Sequence, residues 1–315
     1  MKKLLISIVA SSFNENENIE SWYQRVKQAL KKLPIYDHEI VISDNNSNDG
    51  TKIKLEKLAK KDKKLKVIFN QINNGHILSP YNSLINANGD FCILIATDLE
   101  DPPELIYNII KKYEQNKKEL VLGVHPEREI GFLGKVIRSF VLGFIDFIVS
   151  GDQKQLRDFT GFFLMTKRFK EIIISYNNPK PHLRGLIVQT GFPFDTVEYV
   201  KKKREFGVSK TSLWVLFDLA ILSVVSQSTK LLRLSSIFAL AGSLVSILLF
   251  FYFIIQKILY WETFQAGQTP IILLLLFLFS MVFLILGIIS EYLGEIFIKI
   301  HSNHNVIVSK KINFD

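Results

Sequence analysis

Three polar runs in the N-terminal third hold the groups able to do chemistry: Ser11–Glu15, Ser43–Thr51 and Ala96–Glu104. Asp44 and Asp98 carry carboxylates of the kind that accept from a base N–H or a ribose hydroxyl, and Asn14 and Glu15 stand beside them in type. Clustered carboxylates in such runs can hold Mg2+ or Mn2+, hard cations that take oxygen ligands and bridge to phosphate. Helix caps and turns use the same residue types. That plainer role suits Ser47, Asp49 and Asp101, the last because Asp101-Pro102-Pro103 is a good helix start. It suits Asp44 and Asp98 less well.

The elements around these runs say where they sit. Apolar stretches at Leu4–Ala10, Glu39–Ser43, Lys66–Asn70, Phe91–Thr97 and Leu120–Val124 read as strands. Between them, Ile19–Lys32, Asp49–Lys61, Ile77–Asn88 and Pro103–Asn116 read as helices, the second opened by Ser47 or Asp49. Apolar strands alternating with amphipathic helices predict a parallel, doubly wound α/β sheet. Such sheets bind ligands beyond the C-terminal ends of their strands, and each of the three runs lies at such an end. The start, MKKLLISIVASS, also has the make-up of a short secretory signal, but its apolar run Leu4–Ala10 serves equally as the first strand of this sheet.

Charge divides the chain. The 315 residues carry 39 Lys+Arg and 30 Asp+Glu, a formal +9, with Cys92 the sole cysteine. No disulfide within the chain and no cysteine-based zinc site can form. After Arg233 four basic residues (Lys257, Lys299, Lys310, Lys311) balance four acidic ones (Glu262, Glu291, Glu295, Asp315), so the whole excess lies in residues 1–233. The remainder holds 23 uncharged residues between Arg233 and Lys257 and 28 between Glu262 and Glu291. A bilayer core needs ~20 helical residues, so both runs predict membrane-spanning helices, 234–256 and 270–290. Basic residues cluster outside the pair (Lys201 to Arg233, and Lys299, Lys310 and Lys311), which predicts a hairpin in the cell membrane with both termini cytoplasmic. Residues 211–233 predict a juxtamembrane helix lying at the interface. Gly131–Ser150 fits a core helix or a second surface helix equally. The lysines are scattered and no nucleic-acid motif accompanies them, so a solvated surface near anionic lipid accounts for the charge and nucleic acid is not expected as a partner.

Taken in order, these features resemble family 2 glycosyltransferases with the GT-A fold. More narrowly, they are similar to polyprenyl-phosphate glycosyltransferases of the dolichol-phosphate mannose synthase type, including bactoprenol glucosyl transferases. The residues that carry the resemblance are Asn14-Glu15, Ser43–Thr51, Ala96–Glu104, Arg204-Glu205-Phe206-Gly207-Val208-Ser209-Lys210 and Ser290-Glu291-Tyr292-Leu293-Gly294. They span about Leu5 to Val308. The resemblance implies an α/β architecture: a Rossmann-like, nucleotide-sugar-binding GT-A domain over 1–210, then interfacial helices, a two-helix transmembrane hairpin and a cytoplasmic tail over 291–315. It implies sugar transfer from a nucleotide-diphosphate donor to a polyprenyl phosphate at the cytoplasmic face of the membrane, with Mg2+ or Mn2+ as cofactor.

By the same resemblance, Asn14, Glu15, Asp44, Asp98, Arg204 and Lys210 would bind the nucleotide sugar. Asp98 and Glu100 would hold the metal, and Arg128, Lys135, Arg138 and Ser139 the acceptor phosphate. Asp98, Arg128 and Lys210 form the implied catalytic set. A plain alternative for the basic acceptor set is a solvated helix face drawn to anionic lipid. The sequence departs from the family pattern at Ala96, which lacks the first carboxylate of an Asp-x-Asp, at Asn45 and Asn46 for Asp and Gly, at His125 for Arg, and at Phe163 for the Arg of Phe-Arg-Leu. Glu100 stands for a Gln and can restore the lost charge. Asp158 is a further candidate carboxylate for the acceptor side. These departures keep a nucleotide-binding pseudoenzyme among the readings, with transfer to another lipid or a polysaccharide as a third. A homo-oligomer formed through so small an anchor is left open.

Overall fold

The computed structural model describes residues 3–126, 158–176, 181, 183–202, 268–301 and 306–314, with ten isolated helical positions between Ile237 and Leu259. The remaining expected features lie outside the described residues. These are the acceptor-phosphate residues Arg128, Lys135, Arg138 and Ser139, the segment Gly131–Ser150, the pair Arg204 and Lys210, the juxtamembrane helix 211–233 and most of the first expected span.

The described strands are β1 (Leu5–Ser12), β2 (Asp37–Asp44), β3 (Leu65–Asn70), β4 (Phe91–Leu94), β5 (Leu120–Val124), β6 (Phe159–Thr166), β7 (Phe194–Glu198) and β8 (Val308–Ile312). They form one sheet in the order β7-β5-β6-β4-β1-β2-β3-β8. Helices α1 (Ile19–Lys31), α2 (Thr51–Lys61), α3 (Gly75–Ile85) and α4 (Leu105–Asn116) alternate with the first five strands, followed by α5 (Lys167–Ser175) and α6 (Leu183–Thr190). β1 pairs in parallel with β2 and β4, and β2 with β3, as the alternation predicts. The sheet is not parallel throughout. β6 runs antiparallel between β4 and β5, and β8 runs antiparallel along β3.

Side chains two apart on a strand share a face. Ile6, Ile8, Ala10, Ile40 and Ile42 face one layer, packed with Trp22 and Val26 of α1, Leu55 of α2 and Ile106 and Ile109 of α4. Val9, Val41, Ile68 and Cys92 face the other, with Leu84 of α3, Phe169 of α5 and Leu186 of α6. The strands are therefore apolar on both faces, which is what makes them near-continuous hydrophobic runs in the sequence.

By its internal packing the chain divides into two compact units: Met1–Asp146 with Gly151–Leu216 and Ser302–Asp315, and Phe147–Ser150 with Phe217–His301. The first contains the sheet. Within the segment expected to be a tail, Val308–Ile312 is the edge strand β8. In the second, α7 (Gln268–His301) is one helix of 34 residues. The expected transmembrane hairpin is not seen. Its first helix falls largely outside the described residues, and among the described residues no helix is long and apolar enough to cross a membrane. Side chains at 268–270, 272–273, 276–277, 280, 283, 295 and 297–301 of α7 are outside that set as well.

Candidate active site

Going from β1 the strands succeed one another outward as β2 and β3, whereas β4 lies on the other side of β1. The order reverses between β1 and β4, and a crevice beyond their C-terminal ends is the place where an open α/β sheet takes a ligand. Asn14 and Glu15 follow β1 there, and Asp98 and Glu100 follow β4. Thr97 Oγ1 donates to Ser11 O at 3.0 Å, tying the two strand ends together.

The β1 and β2 loops are locked to each other. Successive backbone N–H groups of Asn14, Glu15 and Asn16 donate to Ser47 Oγ, Thr51 Oγ1 and Asp49 Oδ2, at 2.9, 2.9 and 3.0 Å. Asn14, in the left-handed region at φ 54°, accepts in return from Asn48 N at 2.9 Å. The Glu15 carboxylate accepts from Asn18 Nδ2 at 2.7 Å. Asp49 Oδ1 accepts from the N–H of Thr51, the first residue of α2, at 3.0 Å. The helix is nevertheless capped by neither Ser47 nor Asp49: its N-cap is Gly50, at φ 101°, with no side-chain cap bond.

Ser47 turns inward instead. Its N–H and hydroxyl donate to Asp44 at 3.0 and 2.6 Å, and Ser12 adds a third bond at 3.2 Å. Asp44 is wholly buried, and that burial pushes its pKa up against the pull of those bonds. A carboxylate has about four acceptor positions, and three of Asp44's are taken by its own strand and loop neighbours.

Two departures from the family pattern have structural explanations here. Asn45 donates to Asn73 Oδ1 at 2.6 Å and Gly75 O at 3.3 Å, and accepts from Asn74 N at 2.8 Å. A carboxylate could not make the two donations. Asn46 sits at φ 63°, a left-handed conformation that Gly adopts freely and Asn tolerates. A third, Phe163, is 1% exposed and packs against Phe159, so it fills core at this point of β6.

The turn after β4 carries the acids. Asp98 is half-buried and accepts from Glu100 N at 3.2 Å. Between them Leu99 is buried at φ 63°, costly for a leucine and a form of strain that collects at functional sites. Ala96 is exposed. Asp101, 3% exposed, accepts from the Tyr199 hydroxyl, and burial raises its pKa. Lys201 Nζ lies 3.2 Å from Glu100 Oε2 and 3.5 Å from Asp101 Oδ1. Tyr199 and Lys201 follow β7, which runs parallel to β5 and so ends on this same rim. His125, after β5, places Nδ1 3.2 Å from Tyr199 O and donates its N–H to Asp158 O at 2.9 Å, so Asp158 also stands here.

Tyr199 and Lys201 are not anticipated from sequence. The Lys201–Arg204 run serves there only as a basic flank for membrane orientation, and β7 carries too little apolar pattern to announce a strand end. Among the described residues no group of three or more His, Cys, Asp or Glu could hold a metal. Asp98 and Glu100 do fit the other mode, in which Mg2+ is held by one or two carboxylates plus substrate phosphates.

Residues 7–186 match the profile of glycosyl transferase family 2. The SfII prophage-derived bactoprenol glucosyl transferase of Shigella flexneri is 28% identical over 306 residues, covering 97% of each chain. The prophage bactoprenol glucosyl transferase homolog of Escherichia coli K12 is 27% identical over 306 residues, 97% of this chain and 98% of that one. Among solved structures, mannosyltransferase PcManGT from Pyrobaculum calidifontis in complex with GDP-Man and Mn2+ aligns with a TM-score of 0.49 and 16% identity, over 74% of this chain and 65% of that one.

Proposed function

The chain belongs to glycosyltransferase family 2, and from that premise we propose that it moves a sugar from a nucleoside-diphosphate donor onto a polyprenyl phosphate at the membrane. The observation that carries this is the rim where the β1, β2 and β4 loops meet at the reversal of strand order, with Asp44, Asp98 and Glu100 on it. The acceptor class is supported by bactoprenol glucosyl transferases matching over 97% of both chains, a length that includes the apolar C-terminal part. Attachment to the membrane is supported by the uncharged runs 234–256 and 263–290 and by exposed apolar residues of α7 such as Ile271, Leu275 and Phe279. The basic residues outside these runs support a cytoplasmic face for the sheet domain.

In the proposed reaction the bond from sugar C1 to the donor diphosphate breaks and a new bond forms from C1 to an oxygen of the lipid phosphate. The nucleoside diphosphate leaves. The attacking oxygen is already anionic, so no strong base is needed. The chain's work is to orient the two phosphates and offset the charge that builds on the leaving group. Asn14, Glu15 and Asp44 are proposed for the nucleoside end. Asp98 and Glu100 would hold Mg2+ or Mn2+, whose charge, when bound, offsets that of the diphosphate. Arg204 and Lys210 are proposed for the diphosphate, Arg128, Lys135, Arg138 and Ser139 for the acceptor phosphate, with Asp98, Arg128 and Lys210 closest to the chemistry.

Purified full-length protein in detergent, given polyprenyl phosphate and labelled nucleotide sugars in turn, should form a lipid-linked sugar with at least one donor. No such product with any donor would falsify the proposal. The exposed methyl of Ala96, where the family has a carboxylate, favours one competitor: nucleotide binding without turnover, which would show as binding but no transfer.

A further inference from the structure

Lys201 is held over the acidic turn from both sides. Its own ammonium lies 3.2 Å from Glu100 and 3.5 Å from Asp101. The next residue, Lys202, donates its N–H to Glu100 O at 3.0 Å, and Tyr199 donates its hydroxyl to Asp101. Asp101 is buried, while the Lys201 side chain is 29% exposed and that of Glu100 28%, so these charges attract more strongly than a pair in bulk water. Asp98, Glu100 and Asp101 formally bring three negative charges to the turn that would meet a diphosphate. Ala96 adds none, and Lys201 cancels one without any dissolved ion.

We propose that Lys201 is the resident counter-charge of this turn and a positioning residue for the donor diphosphate, doing part of the work that a metal ion does where a third carboxylate strengthens its site. The proposal rests on the nucleotide-sugar reading of the rim. It has two consequences of opposite sign. Because the ammonium occupies Glu100, it competes with a divalent ion for that carboxylate. Because it supplies positive charge permanently, it sustains diphosphate binding when no metal is present.

The test is binding, free of turnover, on the full-length protein in detergent. Titration calorimetry with uridine and guanosine diphosphates is run in EDTA and in Mn2+, and Mn2+ binding alone is followed by the resonance of the free aquo ion. The wild type should bind one of the diphosphates in EDTA. Lys201→Met should weaken that binding about ten-fold and tighten Mn2+ about ten-fold, as expected for removing one partly screened charge. Lys201→Arg should keep the metal-free binding. A purely structural role would weaken both ligands together. If Lys201→Met does not fold, Lys201→Gln, which retains a donor for Asp101, repeats the measurement. Loss of wild-type diphosphate binding in EDTA, or a neutral variant whose Mn2+ affinity does not rise, overturns the proposal and leaves the donor reading standing. Failure of either diphosphate to bind even with Mn2+ removes both.

Discussion

Asn45 uses both ends of its amide, donating to Asn73 and Gly75 and accepting from Asn74. Asn45→Asp, which brings back the family's acid, should therefore lower stability by about 1–3 kcal/mol, read as a shift in the urea midpoint. Asp98→Asn should lower transfer by about 100-fold or more while leaving the urea midpoint within about 0.5 kcal/mol, because the loss falls on charge compensation rather than packing. Unchanged transfer would remove Asp98 from its assigned role. Acid sensitivity should come partly from Asp62, far from this rim. Burial pushes its pKa up, but Lys27 Nζ at 2.8 Å, Tyr23 Oη at 2.7 Å and Lys64 N at 2.9 Å hold it at about 2, below the ordinary 3.8. With the folded value below the unfolded one, that stability is present above about pH 4 and is lost as pH falls toward 2. After screening it amounts to about 1 kcal/mol, and Asp62→Asn should flatten that part of a stability-against-pH curve. At this scale the sequence points to the right loops but not to the bonding within them. Nothing in residue type distinguishes the buried Asp44 from the half-exposed Asp98, and Lys201 reaches the acids only through a strand nearly a hundred residues downstream.

Elements with a strong period are legible and those without it are not. The strands and helices from Leu5 to Val124 follow the alternation closely because each strand is apolar on both faces and each helix has one apolar stripe. β6 shows no such cue to its antiparallel place between β4 and β5, which depends on partners distant in the chain. β8, with Ser309, Lys310 and Lys311 in five residues, looks like tail, and edge strands do carry lysines of this sort. Gly123 in β5 offers an element-scale test. A Cβ there would lie 2.5 Å from Phe162 Cδ1 and 3.0 Å from Tyr199 Cε1. Gly123→Ala should cost about 1–3 kcal/mol by overpacking and, by moving Tyr199 off Asp101, should weaken diphosphate binding more than a core change remote from the rim.

For the whole molecule, the excess of 35 basic over 26 acidic residues in 1–233 and the balanced remainder divide the work between a charged domain and an apolar segment. Expressed in bacteria, the full chain should sediment with membranes and stay there in 1 M salt and in alkaline carbonate. Release by salt alone would mean that surface charge, not insertion, holds it. The sheet imposes one more condition, on the order of events during synthesis. Ser309 donates to Phe69 O across 240 residues of chain, and β3 keeps an open edge until that partner is made. At about 5–20 residues per second the interval is roughly 10–50 s, during which the apolar runs leave the ribosome ahead of the strand that closes the edge. A chain stalled before Val308 therefore presents β3, its edge still open, as a template for aggregation.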